Sequence, residues 1–157
     1  MNLFLTHYLP DDGAENQVNC VASLILGQNG IWGDLPAISP EGVGRFGKLL
    51  GLYKQVRDDI AAAPPLRKGL IGGCPEIHEK INPATGKGAV VIFVTNRGVY
   101  EYFTQRPVDQ KFWASEGATV QRLTDGRAKI TVNNTPSANE ANKAGWARIV
   151  YFGVSAD

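Results

Sequence analysis

The chain has 157 residues, 43% of them hydrophobic, which suffices for one large domain or two small ones with a packed core. Sixteen basic residues stand against fifteen acidic ones, with no basic block and no acidic tail, so the charge pattern gives no support to nucleic acid or anionic lipid as partners. The apolar start MNLFLTHYLPDD lacks the basic n-region and small-residue cleavage site of a secretory signal, and no apolar run approaches the roughly 18 residues of a membrane span, which leaves localisation open.

In chain order, residues 3–9 form a short apolar run that ends in the turn cluster Pro10-Asp11-Asp12-Gly13, which predicts a strand and its exit loop. From 15 to 26 the apolar residues Val18, Val21, Ala22 and Ile25 recur at helical spacing, and Gly27 is placed to end that helix. Residues 29–32 read as a brief buried strand bounded by glycines. Ser39-Pro40-Glu41 is helix-start chemistry: a hydroxyl for the free N–H groups, a proline where no bond is lost, and an acid at the positive end of the dipole. The helix that follows carries one apolar stripe, Val43, Phe46, Leu49, Leu50, Tyr53, Val56 and Ile60, and stops ahead of Pro64. This strand-helix-strand-helix order has the rhythm of a parallel α/β protein, yet two such units cannot complete a parallel sheet.

After Pro64 and Pro65 the chain changes to strands. The predicted ones are 75–81, 89–95, 99–105, 119–123, 127–132 and 146–152, each rich in β-branched or aromatic residues. Their connections read as hairpins: residues 83–88, then Asn96-Arg97-Gly98, then Asp125-Gly126. Antiparallel order follows. The run 89–94 is apolar at every position, which predicts a strand buried on both faces, while the polar run 133–143 reads as a loop or insertion.

Few residues carry chemistry in a recognisable pattern. Cys20 and Cys74 are alone and far apart, and read as two packed thiols. On a strand over 75–81, Glu76 and His78 share a face with Lys80, and Glu79 lies on the other. They could be two metal ligands or an acid/base pair, or a solvated strand face, and no third ligand is spaced to complete a metal site. Gly69-Leu70-Ile71-Gly72-Gly73 lacks the Lys-Ser/Thr and the following helix of a phosphate loop. No Gly-x-Ser-x-Gly turn presents a serine nucleophile.

A strand ending in Thr6-His7, the helix ENQVNCVASLILG, the Gly-rich strand GIWGDL, a Ser-Pro-Glu helix running into LYKQVRDDI and then a β region together resemble the C-terminal end of retaining alpha-glycosidases of the alpha-galactosidase (melibiase) type. The resemblance implies a fold of two parts. Residues 1–63 would be the last two strand-helix units of a β/α barrel (TIM type), with 3–9 as the seventh strand, 30–33 as the eighth and 39–62 as the closing helix. Residues 64–157 would be an antiparallel β-sandwich. It also implies that the chain holds neither catalytic carboxylate: the pair that such enzymes place about 5 Å apart belongs to earlier barrel strands. No catalytic residue, metal or cofactor is therefore assigned.

What the resemblance can place here is the rim of a sugar site, at the C-terminal ends of the barrel strands: His7, Trp32 and Asp34. Each has an alternative role. Trp32 could fill space between barrel and sandwich, Asp34 could accept backbone bonds in its own turn, and His7 could be a hydrogen-bonded strand end. The expected function is that of the C-terminal part of a glycoside hydrolase acting on alpha-linked sugars through the full-length barrel, inactive alone, with a supporting β region. Apart from its barrel, such a chain is expected to expose the apolar flanks of its first strand and of 18–25, and to aggregate or associate. The alternatives are a stand-alone carbohydrate-binding module with a platform drawn from Trp113, Tyr100 and Tyr102, and a small enzyme built on Glu76 and His78.

Overall fold

A computed structural model describes residues 2–5, 14–26, 28–31, 38–135 and 147–155. The first strand, β1 (Asn2–Leu5), is followed by helix α1 (Ala14–Ile25) and strand β2 (Gln28–Ile31), and the two strands pair in parallel from Asn2↔Gln28 to Leu5↔Ile31. This is a β-α-β unit. Next comes the long helix α2 (Pro40–Ala62), whose ends are set by the predicted residues. Ser39 Oγ accepts the N–H of Gly42 at 3.1 Å, Pro40 occupies the first turn, and the last cap N–H, that of Ala63, donates to Asp59 O directly before Pro64.

Eight strands follow among the described residues. A five-stranded antiparallel sheet has the order β3 (Leu66–Lys68), β4 (Glu76–Ile81), β5 (Gly88–Phe93), β10 (Ala147–Phe152), β7 (Phe112–Ala114). A second, three-stranded antiparallel sheet runs β6 (Gly98–Phe103), β9 (Ala128–Asn134), β8 (Ala118–Arg122). Two of the predicted hairpins are present. Asn82 N–H donates to Lys87 O at the β4–β5 turn, and at the β8–β9 turn Gly126 takes φ +82°, a left-handed conformation that suits a residue without a Cβ.

The third predicted hairpin is not one. Asn96-Arg97-Gly98 carries the chain from β5 to β6, which lie in different sheets: β5 pairs with β4 and β10, β6 with β9. Side chains take over where no ladder exists, as Asn134 Nδ2 donates to Asn96 O at 2.9 Å. The polar run at 133–143 also begins later than expected, because Asn133 and Asn134 complete β9 opposite Val99 and Gly98. The two strands that pattern reading misses, β3 and β7, are three residues each, too short to show a period.

The five-stranded sheet is covered on both faces, as the apolar run 89–94 requires. On one face Ala89, Val91, Ala147, Ile149 and Tyr151 pack with α1 and α2. On the other, Val90, Ile92, Val150 and Phe152 pack with Ile77 and Ile81 and with Tyr102, Ile130 and Val132 of the three-stranded sheet. Alternation along one strand thus feeds two cores, and each fully buried aliphatic contributes about 1.5–3 kcal/mol. The architecture is helices, five-stranded sheet, three-stranded sheet.

The helical face differs from the expected stripe. α2 buries Gly42, Phe46, Leu49, Leu52, Val56 and Ile60, whereas Val43 is 48% exposed. The burying stripe therefore runs through Leu52 at i+3 from Leu49, and the N-terminal part of the helix is turned to meet α1. Gly42 marks that crossing: a Cβ there would stand 2.5 Å from Ile38 and 2.7 Å from Gln17. The expectation that the apolar face of 18–25 lies open is overturned, since Val21, Ala22, Leu24 and Ile25 are all buried in the helical core. Polar clamps fix α2 to the strands. Asp59 Oδ1 accepts from Asn82 Nδ2 at 2.8 Å and Thr85 Oγ1 at 2.7 Å, and Gln55 exchanges two bonds with the backbone of Ser155. No helix among the described residues is long and apolar enough to cross a membrane.

Candidate functional site

His7, Trp32 and Asp34 lie outside the described residues. Three other groups of side chains concern function.

The first is on β4. His78 Nε2 and Glu76 Oε1 are 2.8 Å apart, and the second carboxylate oxygen, Oε2, accepts the N–H of Gly72 at 2.7 Å. Period 2 places both side chains on the helix-facing side of the sheet, opposite Phe93 and Val91 of β5, and Phe93 meets the imidazole edge-on. They are not an open solvated face, since the His78 and Glu76 side chains are only 25% and 15% exposed. The Gly72 N–H holds the Glu76 carboxyl below its usual value against the effect of burial, with His78 adding to the lowering. Both oxygens of Glu76 are thus engaged in holding the 69–73 loop and the ring of His78. The same bond explains the chemistry of the glycine-rich loop, whose N–H is turned to an internal carboxylate. Among the described residues, no group of three or more His, Cys, Asp or Glu could hold a metal ion.

The second group joins the two sheets. Tyr102 is only 2% exposed, so it belongs to no sugar platform. Its hydroxyl donates to Glu79 Oε2 at 2.8 Å, and the N–H of Gln105 donates to the same oxygen at 2.8 Å. Glu79 is fully buried, in phase with Ile77 and Ile81, and its other oxygen, Oε1, has no partner among the described residues. Tyr100 is likewise committed. Asn96 N–H donates to Cys74 Sγ, Cys74 donates to Tyr100 Oη at 3.3 Å, and Tyr100 Oη donates to Asn96 O, closing a ring of bonds. Burial pushes the Cys74 thiol up, but its hydrogen bonds with Tyr100, Asn96 and Thr95 outweigh it and leave the thiol below its ordinary value.

The third group forms a cleft of about 280 Å³ between the helices and the sheet edge, lined by Val18, Arg45, Lys48, Leu49, Trp113, Ser115 and Glu116. Trp113, on edge strand β7, packs at 6.1 Å against Tyr151, and the ammonium of Lys48 stands 5.9 Å from the centre of its ring. Arg45 is anchored across the helices, its Nε donating to Gln17 Oε1 at 2.7 Å. Ser115 is buried, and its Oγ accepts the N–H of Ile149 at 3.0 Å.

Trp113 packs beside the helical core and Tyr100 beside the inter-sheet core, so these two candidate platform residues lie against different cores. Pattern reading passed over Arg45, Lys48 and Glu116 because surface charges carry no period of their own. It could have found Glu79: a carboxylate in phase with Ile77 and Ile81 on a half-buried strand is a polar group aimed at the core. No protein-family model matches the chain, and no curated protein matches it in sequence.

Proposed function

We propose that the chain is the C-terminal part of a glycoside hydrolase of the alpha-galactosidase type, in which residues 1–63 are the last two units of a β/α barrel and residues 64–157 support it. The observation that carries this reading is the β1–β2 pair. It is parallel and, among the described residues, each of its strands has only the other as a partner. Parallel strands are stable in sheets with neighbours and cover on both sides, and a two-stranded ribbon is marginal by itself. A barrel would supply those neighbours. The element order that follows, a Ser39-capped helix and then antiparallel strands, is the order of the family that the sequence resembles.

On this reading the chain contributes positioning rather than bond cleavage. Glycosidases of this type need two free carboxyl groups about 5 Å apart across the scissile bond. Glu76 is tied to Gly72 and His78, and Glu79 is enclosed between the sheets. The helix α2 is fixed to the β region through Asp59 and Gln55, so the sheets would steady the closing helix of the barrel. His7, Trp32 and Asp34 are the proposed rim residues for the sugar. Association would run along the edges of β1 and β2 that have no strand partner among the described residues.

The test is to capture the native polypeptide from its source cells with an antibody raised against residues 64–157, map it by mass spectrometry and assay it with p-nitrophenyl α-galactoside and α-glucoside. The expected capture is a polypeptide larger than 17.0 kDa, or this chain with a second one supplying the earlier strand-helix units, with hydrolase activity that the 157-residue chain alone does not show. A captured 17.0 kDa chain with no companion and no hydrolysis overturns the reading.

A further inference from the structure

We infer that the cleft between α2 and β7 is a binding site for a small monocarboxylate with an apolar body, such as an arylalkanoate. The inference is independent of the glycosidase reading. Its volume, about 280 Å³, lies just below the roughly 300–1,000 Å³ range of small-molecule sites and suits a ligand smaller than a disaccharide.

The chemistry of the walls selects the ligand. Val18, Leu49 and Trp113 present apolar surface, and two cations enter from the same helix: Arg45 and Lys48 are three residues apart on α2 and so project from one side of it. Each is held in place. Arg45 spends one of its five N–H donors on Gln17, which fixes the guanidinium without using its carboxylate-binding capacity, and the Trp113 ring holds the Lys48 ammonium over its face. A carboxylate between them makes charge-assisted bonds to both. Glu116 lines the same cleft and repels a second negative charge, which disfavours dianions such as phosphate esters. A sugar needs partners for several hydroxyls. Arg45 and Lys48 can donate to hydroxyl oxygens, but the hydroxyl protons need acceptors, and with the Ser115 oxygen already accepting from Ile149 Glu116 is the main one in the lining, so an apolar body is preferred.

The experiment is an NMR titration of the full chain with phenylacetate, benzyl alcohol, galacturonate and inorganic phosphate, following the Trp113 indole N–H, which is assigned by its loss in Trp113→Phe. Phenylacetate is expected to shift that signal saturably, and benzyl alcohol, the neutral counterpart, to bind at least about tenfold more weakly. Lys48→Gln, at an exposed position that leaves the Arg45–Gln17 bond intact, is expected to weaken phenylacetate at least about tenfold with an unchanged circular dichroism spectrum. Failure of phenylacetate to saturate the shift overturns the inference. So does equal binding of benzyl alcohol, unchanged affinity in Lys48→Gln, or tighter binding of galacturonate or phosphate than of phenylacetate.

Discussion

Tyr102 and Glu79 face each other across the two sheets, the phenol donating to Glu79 Oε2 at 2.8 Å in a space otherwise filled by Ile77, Ile81, Ile130 and Val132. Tyr151 presents the opposite case on the other face of the five-stranded sheet: it is fully buried, and its hydroxyl has no partner among the described residues. Removing the two hydroxyls should therefore act in opposite directions. Tyr102→Phe strips a bond from a buried carboxyl and is expected to cost about 1–3 kcal/mol. Tyr151→Phe removes an unmatched polar group and is expected to raise stability by about 1 kcal/mol. Urea unfolding with matched slopes measures both.

The same phenols set the alkaline limit. Burial first, and then the nearby Glu79 carboxyl, hold Tyr102 above its ordinary value of 10.0, and burial followed by Tyr53 does the same to Tyr151. A raised folded value means that the stability is fully present below about pH 10 and falls above it, where the unfolded chain releases protons that the folded chain retains. The decline should approach about 1.4 kcal/mol per pH unit for each phenol. Unfolding free energies measured from about pH 9 to 11 should show this slope, and Tyr151→Phe should reduce it.

At the acid end the sign reverses. Glu76 is held below its usual carboxyl value chiefly by the Gly72 N–H, so its contribution is present above the unfolded value near 4.3 and is lost as pH falls through the folded one. Glu76→Gln is expected to lower stability at pH 7 by about 1 kcal/mol. Thermal melts of the two proteins should converge as the pH drops below about 4.

Helix α2 holds four glycines that should not behave alike. Gly42 has Ile38 and Gln17 within 2.7 Å of the position of a Cβ, whereas Gly44, Gly47 and Gly51 have nothing within 4 Å. Gly42→Ala is expected to overpack the α1–α2 crossing at a cost of about 1–3 kcal/mol. Alanine at each of the other three is expected to stabilise by about 0.8–1.0 kcal/mol through helix propensity alone. Chemical unfolding of the four variants checks both signs.

Those glycines also show how far the sequence could be read. Where one local rule decides, the reading holds: Ser39 and Pro64 bound α2, and the all-apolar run of β5 marks a strand buried on both sides. Where two distant elements decide together, it fails. Asn96-Arg97-Gly98 has the composition of a hairpin turn, but β5 takes β10 as its neighbour, and that preference arises from residues far along the chain. Val43 looked like core because its spacing fits the stripe, and the placement of α1 against Gly42 and Phe46 turned it outward. The cleft was illegible for a related reason: Lys48 and Trp113 meet only after α2 is laid beside the edge of the sheet.

The place of β10 in the middle of the five-stranded sheet bears on how the protein comes into being. This strand supplies Ala147, Ile149 and Tyr151 to the helical core and Val150 and Phe152 to the inter-sheet core, and it bridges β5 to β7. A chain is made from its N-terminus, so α1, α2 and the strands up to β9 are synthesised before β10, while β5 still lacks a neighbour on one side. Such an intermediate presents an open strand edge and two unsealed apolar faces, the features that invite capture by chaperones or by other nascent chains. Neither core can close while residues 147–152 remain unmade.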